Sequence, residues 1–288
     1  MSLNRSSKLL AGVAAVLLGA AASLVTAAPA QAVTGLIVTI DWSDLTGSES
    51  FKTANAVCPA GKVLLGGGAD IVDGGALVHL SSMIPAAAGY PTHSYYAVAR
   101  ESAAFAGNWT MYSWAICGSG VTGWQVVSGS YTASSGTNVV GVHLSCPSGK
   151  KVIGTGAAAV GGGHFLIRSI VPSADLTELS VEVGGDEVAS GAYSAYAYAI
   201  CVNPVAGQQR VSATTAANSI SKGISVACPA GKKLHGTGGD HTAGGEAHFD
   251  RIGLWGPGAV SGSDVAVIED ATGFAENWTA TAYAICAT

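Results

Sequence analysis

The chain has 288 residues, 40 of them glycine, with a net charge of −5 and only 11% charged residues, less than half the roughly 25% of an ordinary soluble domain. So little charge excludes a disordered or coiled-coil protein. The acidic balance excludes a general nucleic-acid binder, and glycine without a period of three excludes a collagen-like chain.

Residues 1–32 read as a secretory signal peptide. Arg5 and Lys8 supply the positive start, residues 9–25 are apolar, and Ala30-Gln31-Ala32 forms an A-x-A cleavage site. A retained membrane anchor is the rival reading. No later run is long and apolar enough to span a bilayer as a helix. Without the leader, 11 Lys+Arg face 18 Asp+Glu, a more acidic exterior that does not favour anionic polymers.

The rest is one unit written three times, over residues 33–119, 120–204 and 205–288. Cys58-Pro59-Ala60-Gly61-Lys62 returns as Cys146-Pro147-Ser148-Gly149-Lys150 and Cys228-Pro229-Ala230-Gly231-Lys232. A glycine cluster follows each: Gly66-Gly67-Gly68, Gly154-Thr155-Gly156 and Gly236-Thr237-Gly238. Each unit closes on an aromatic-Ala-Ile-Cys, ending at Cys117, Cys201 and Cys286. Six cysteines allow 15 pairings. The near-constant separations of 59, 55 and 58 select Cys58–Cys117, Cys146–Cys201 and Cys228–Cys286, as suits an oxidising compartment. No CxxC or Cys/His ligand spacing favours metal binding by these cysteines.

Within a unit the elements follow in order. A strand at 36–42, 124–131 or 210–215 precedes one that ends on the first cysteine. Cys-Pro-x-Gly then reads as a type I turn with Pro second and Gly fourth. The glycine-rich strand follows, and two weaker strands come next, at 77–85, 165–172 and 249–257 and at 94–100, 179–183 and 264–269. The closing strand is apolar on both faces, as a central strand is. Its alternation puts Ala280, Ala282, Ala284 and Cys286 on one face, against which the glycine-rich strand is expected to approach. About six short strands per unit, with no stretch of helical period, predict an all-β protein. The three copies predict a pseudo-threefold, β-prism-like assembly, with three tandem β-sandwiches as the alternative.

The CPxGK, glycine-cluster, aromatic-A-I-C pattern resembles secreted three-repeat β proteins of bacteria. It is loosely similar to the vitelline-membrane outer-layer proteins and other β-prisms, which carry three repeats and a CPxG turn. That resemblance implies a lectin-like or envelope-associated role and carries over no active site.

Catalytic motifs fail. The Gly-Lys pairs lack both the upstream Gly and the following Ser/Thr of a P-loop, and G-x-S-x-G and HExxH are absent. Asn108-Trp109-Thr110 and Asn277-Trp278-Thr279 match glycosylation acceptors, but their shared place at the start of the closing strand reads as a turn signal. The third unit holds one cluster of metal-ligand types, His235, Asp240, His241, Glu246, His248 and Asp250. His235 aligns with Leu65 and Ile153, and His248-Phe249 with His164-Phe165, which favours ordinary strand positions. Trp42, Trp124 and Trp255, with Tyr90, Tyr95 and Tyr96, are candidates to stack on sugar rings, or to plug a core of small residues. Trp109, Trp114 and Trp278 read as core. The sequence therefore points to a secreted, non-enzymatic module for cell-surface or cell-wall carbohydrate. The alternatives are a structural or partner-binding envelope protein and, last, a metal-assisted hydrolase in the third unit. It implies no cofactor, no nucleic-acid partner and no membrane span after leader removal.

Overall fold

A computed structural model describes residues 31–161, 164–186, 189–254 and 260–288. The signal-peptide expectation therefore lies almost wholly outside the described residues, and so does Trp255. The described chain is all-β, with two one-turn 3-10 segments, Gly75–Leu77 and Gly244–Glu246, as its only helical elements.

Each repeat supplies six strands. The first gives β1 (Thr34–Trp42), β2 (Phe51–Val57), β3 (Val63–Val72), β4 (Val78–Pro85), β5 (Ser94–Glu101) and β6 (Thr110–Ser119). The second gives β7 (Gln125–Ala133), β8 (Val139–Ser145), β9 (Lys151–Val160), β10 (Phe165–Pro172), β11 (Glu178–Gly185) and β12 (Tyr193–Val202). The third gives β13 (Gln209–Thr214), β14 (Lys222–Ala227), β15 (Lys233–His241), β16 (Ala247–Leu254), β17 (Gly262–Glu269) and β18 (Ala280–Ala287). They form three six-stranded antiparallel sheets, ordered β1-β6-β3-β16-β17-β14, β2-β5-β4-β9-β12-β7 and β13-β18-β15-β10-β11-β8. Every sheet takes three strands from one repeat and three from another, so no repeat closes a sandwich alone. The joints are narrow. Only Arg251 and Ile252 register with Asp70 and Ala69 across β16–β3, Ser82 and Met83 with Ala158 and Ala157 across β4–β9, and Ser169 and Ile170 with Asp240 and Gly239 across β10–β15.

The three disulfides form as the spacing selects, Cys58–Cys117, Cys146–Cys201 and Cys228–Cys286. Each closes a loop of nearly sixty residues, which in the chain-entropy picture disfavours the unfolded state by about 4 kcal/mol.

The glycine cluster has a use different from the expected one. The closing strand is the in-sheet neighbour of the glycine-rich strand; it does not cover it. The glycines instead let the three repeats touch. A Cβ on Gly66 would sit 2.3 Å from the His235 carbonyl oxygen, one on Gly154 2.1 Å from that of Leu65, and one on Gly236 2.4 Å from that of Ile153. The third glycine of each cluster meets the joint: Gly68 against Ile252, Gly156 against Met83, Gly238 against Ile170. Hydroxyls tie the middle row. Thr237 donates from Oγ1 to the Gly67 carbonyl at 2.6 Å, and Thr155 likewise to the Thr237 carbonyl. The first repeat has Gly67 in that row, and Tyr95 completes it: its ring fills the space of the missing threonine, and its hydroxyl donates to the Thr155 carbonyl at 2.9 Å.

The CPxGK turn also differs from expectation. Its bond runs from the lysine N–H to the proline carbonyl in all three copies, so the turn starts at the proline and its glycine is third. Gly61, Gly149 and Gly231 have φ of +81°, +81° and +80°, the type II geometry that requires glycine there. The lysine has a structural use as well. Lys62, Lys150 and Lys232 donate to the carbonyls of Gly35, Gly123 and Gly207, which turn the chain into the first strand of each repeat at φ of +59°, +68° and +64°.

Candidate ligand-binding groove

The closing strands display aromatics on their outer faces. On β6, Tyr112 and Trp114 lie nearly parallel with centroids 6.5 Å apart, and Trp42 on the neighbouring β1 lies 6.4 Å from Tyr112. On β12, Tyr196 and Tyr198 repeat the arrangement at 6.4 Å. On β18, Tyr283 lies under the Arg210 guanidinium. Alternation along the strand causes this: Ala and Cys face inward, and Tyr or Trp face outward.

At the joint between the first and second repeats one of these aromatics, Tyr198, borders a groove of about 620 Å³. It is lined by Ile84, Pro85, Ala86–Ala88, Tyr90 and Tyr96 from the first repeat and by Val126, Ser128 and Tyr198 from the second. Tyr90 and Tyr96 stack at 4.6 Å. Burial raises the Tyr96 hydroxyl above its ordinary pKa, with Tyr90 adding to the rise. Burial, and then Tyr196, raise that of Tyr198. Both phenols are thus neutral donors and acceptors beside flat apolar rings. The groove exists because the β4–β5 connection of the first repeat is long, residues 86–93, whereas that of the second, residues 173–177, is short.

The candidate aromatics divide accordingly. Tyr96 and Tyr90 belong to the groove. Trp42 is 54% exposed on the outer face of β1. Tyr95 is fully buried in the central row. Trp124 is half-buried, its indole N–H donates to the Leu64 carbonyl at 2.6 Å, and its ring lies edge-on to His93, so it fastens the second repeat to the first. Trp109 and Trp278 are core at 1% exposed, whereas Trp114 is half-buried on the outer face above Gly253.

The metal-ligand candidates are not gathered. His235 and His241 are six residues apart on β15, about 20 Å at strand rise, and no group of three or more His, Cys, Asp or Glu among the described residues could hold an ion. His235 is the bulge residue of β15, as Leu65 and Ile153 are of their strands, and its Nδ1–H donates to the Lys233 carbonyl at 2.8 Å. His241 lies edge-on to Phe249 and Trp278. The bulges at Ser81, Arg168 and Asp250 make His248 equivalent to His79 and Leu166 in the repeat, two positions off the His248–His164 alignment. His79 and His248 lie 6.0 Å apart, edge to face. Together with His164, Asp186 and Asp270 they line a cavity of about 180 Å³. Burial is the first cause that holds these imidazoles neutral, His79 and His241 down to about 3 and His235 and His248 down to about 4. Asp240 faces Ser169 and Thr281 across the strands. Asp250 is pushed up to about 7, first by burial and then by Asp70.

Sequence reasoning missed Tyr198 because it comes from another repeat. It also missed Lys52 and Lys222, which occupy equivalent corners. Lys52 donates to the carbonyls of Asp44, Gly47 and Trp109, and Lys222 to Asn218 and Ile220. Each ammonium lies over a tryptophan, Trp109 or Trp278, whose N–H donates to Glu101 or Glu269. The signal was visible as a lysine at one place in two short strands. No protein-family model matches the chain, and no curated protein is detectably similar to it.

Proposed function

We propose that the protein is a secreted, non-enzymatic carbohydrate-binding module with a β-prism-like arrangement of its three sheets. The groove between Tyr90, Tyr96 and Tyr198 carries this reading. It is concave, within the size range of ligand pockets, and walled by rings on which the apolar face of a pyranose stacks while its hydroxyls reach phenols and Ser128. Its only titratable lining residues are tyrosines, so it offers contact surface without an acid–base pair. Three disulfides, the A-x-A leader pattern and the resemblance to secreted β-prism proteins support an extracellular address. Among the described residues no helix is long and apolar enough to cross a membrane.

The test is retention on purified cell-wall and surface polysaccharides, read beside a Tyr96→Ala, Tyr198→Ala double variant. Wild-type retention that falls at least tenfold in the variant, with unchanged circular dichroism, is the expected result. A protein that binds no polysaccharide but co-purifies with one secreted partner would replace this reading with the envelope-partner one.

A further inference from the structure

The outer face of the second repeat carries one small unit twice. Strand pairing sets Tyr198 between Gly156 on β9 and Ser128 on β7, and Tyr196 between Ala158 and Ser130 on the same two strands. Each step is thus a small residue, a tyrosine ring and a serine hydroxyl. The two rings lie 12° from parallel with centroids 6.4 Å apart, close to the two-residue rise of a strand. Both rings are half-buried, and Ser128 and Ser130 are exposed. Pro85 fills the place of a Cβ on Gly156, with its Cδ 2.5 Å away, and so encloses Tyr198 in the groove. Beside Tyr196, Ala158 adds only a methyl.

The other two repeats build the same three strands without this unit. Tyr112 and Trp114 on β6 face Asp70 and Gly68 on β3 and Trp42 and Ile40 on β1. Thr281 and Tyr283 on β18 face Asp240 and Gly238 on β15 and Thr214 and Ser212 on β13. Where those repeats hold a carboxylate, Asp70 or Asp240, the second holds Ala158. Of the three faces, the second repeat's alone combines two rings and two hydroxyls with no charge at these positions.

Tyr198 belongs to both features. It lines the groove with Tyr90 and Tyr96, and it is the first ring of the pair, so a ligand leaving the groove past Tyr198 meets Tyr196 next. A recognition unit repeated by translation fits a ligand that is itself a repeat. Each step offers a ring for an apolar C–H face and hydroxyls that both donate and accept. A charged polymer would give up hydration here and gain no ion pair in return.

We propose that the groove continues onto this track, and that the two together hold an extended, uncharged polysaccharide over several successive sugar residues. This rests on the carbohydrate reading of the groove and adds the length and neutrality of the chain it takes.

The test is isothermal titration calorimetry of the whole secreted chain with oligomers of glucose, N-acetylglucosamine and mannose, from disaccharide to hexasaccharide, and with oligogalacturonate as the charged comparison. In at least one neutral series the hexasaccharide should bind at least tenfold more tightly than the disaccharide. Tyr196→Ala should remove that gain and leave the disaccharide affinity unchanged. Tyr112→Ala, at the same place on β6, should change neither. Should Tyr196→Ala fail to fold, Ser130→Phe, at an exposed position opposite Tyr196, lays a second ring across it and should give the same loss. Affinity that levels off at the disaccharide overturns this inference. So does a gain with length that survives these variants, or a preference for oligogalacturonate. In each of those cases, polysaccharide retention that still falls in the Tyr96→Ala, Tyr198→Ala variant leaves the groove standing. A chain that retains no polysaccharide and binds no oligomer ends both readings.

Discussion

The centre of the molecule and its corners obey the threefold repeat differently. At the centre, Gly66, Gly154 and Gly236 each lie against the backbone of another repeat, and all three copies agree. At the corners, Lys52 and Lys222 sit over Trp109 and Trp278, while the second repeat has Val140 and Tyr193 at those places. The difference follows from what fills the space. A backbone-to-backbone contact admits no side chain, so a single departure breaks the assembly. A corner filled by side chains can exchange them for others and still leave the sheets paired.

Gly154→Ala tests the centre most severely. Its Cβ would lie 2.1 Å from the Leu65 carbonyl oxygen and 2.9 Å from the Gly66 Cα, and neither is a flexible side chain. Overpacking that must move backbone costs more than the usual 1–3 kcal/mol of a crowded core, so a loss of about 4 kcal/mol is expected in urea unfolding. Gly223→Ala on β14 is the control. A Cβ there meets nothing within 4 Å, and the change should stay within about 0.5 kcal/mol. Equal effects at the two sites would mean that the central contact does not constrain the fold.

The middle row sharpens the same point, because there the first repeat has departed and compensated. Gly67→Thr restores the threonine of the other two repeats, but its Cβ would meet the Trp114 carbonyl oxygen and the Tyr95 ring, each at 2.3 Å. Alone it should cost about 3 kcal/mol. Tyr95→Leu copies Leu179 of the second repeat and leaves the Thr155 carbonyl without its donor, for about 2 kcal/mol. Combined, the two changes recreate a threonine row, and the double variant should be about 2 kcal/mol more stable than the sum of the singles. Simple additivity would show that Tyr95 and Gly67 are not exchanged for a threonine.

Much of this architecture was legible in the chain. The cysteine spacing yields the disulfides, and period-two alternation yields six strands per repeat with an apolar closing strand, because both signals are local. The sharing of each sheet by two repeats was not legible. Its joints rest on two residue pairs apiece, and the contact that enforces them is made by glycines, which carry no side-chain pattern. Proline fits either of two positions in the turn, and the positive φ of Gly61 with the Lys62 N–H to Pro59 carbonyl bond distinguishes them. For the groove, Tyr90 and Tyr96 stood out as aromatics, whereas Tyr198 joins them only through the inter-repeat joint.

The buried histidines give the smallest effect, and they test whether departures inside the core carry a cost of their own. His235 stands where the other repeats have Leu65 and Ile153, and His248 where the second has Leu166. In the folded protein these two imidazoles take a proton only near pH 4, and His79 and His241 only near pH 3. In the unfolded chain all four do so near 6.5. Between those limits the unfolded state binds more protons, so stability is whole above about pH 6.5 and falls as the solution is acidified toward pH 4. Asp250, pushed up to about 7, acts in the opposite sense: its folded form keeps a proton that the unfolded form has released above about pH 4, so acidification below 7 favours folding through this group. Burial raises Asp70 and Asp240 in the same sense as Asp250, so the four histidines supply the loss on the acid side and these aspartates oppose it. His248→Leu, copying Leu166, and His235→Ile, copying Ile153, should each flatten the curve between pH 6 and 4.5 by about 1.4 kcal/mol per pH unit, with little change at pH 7.5. Urea midpoints at pH 7.5, 6 and 4.5 measure this. Curves parallel to wild type would mean that these side chains are already charged in the folded state, and that the cavity beneath His79 and His248 admits enough water to solvate them.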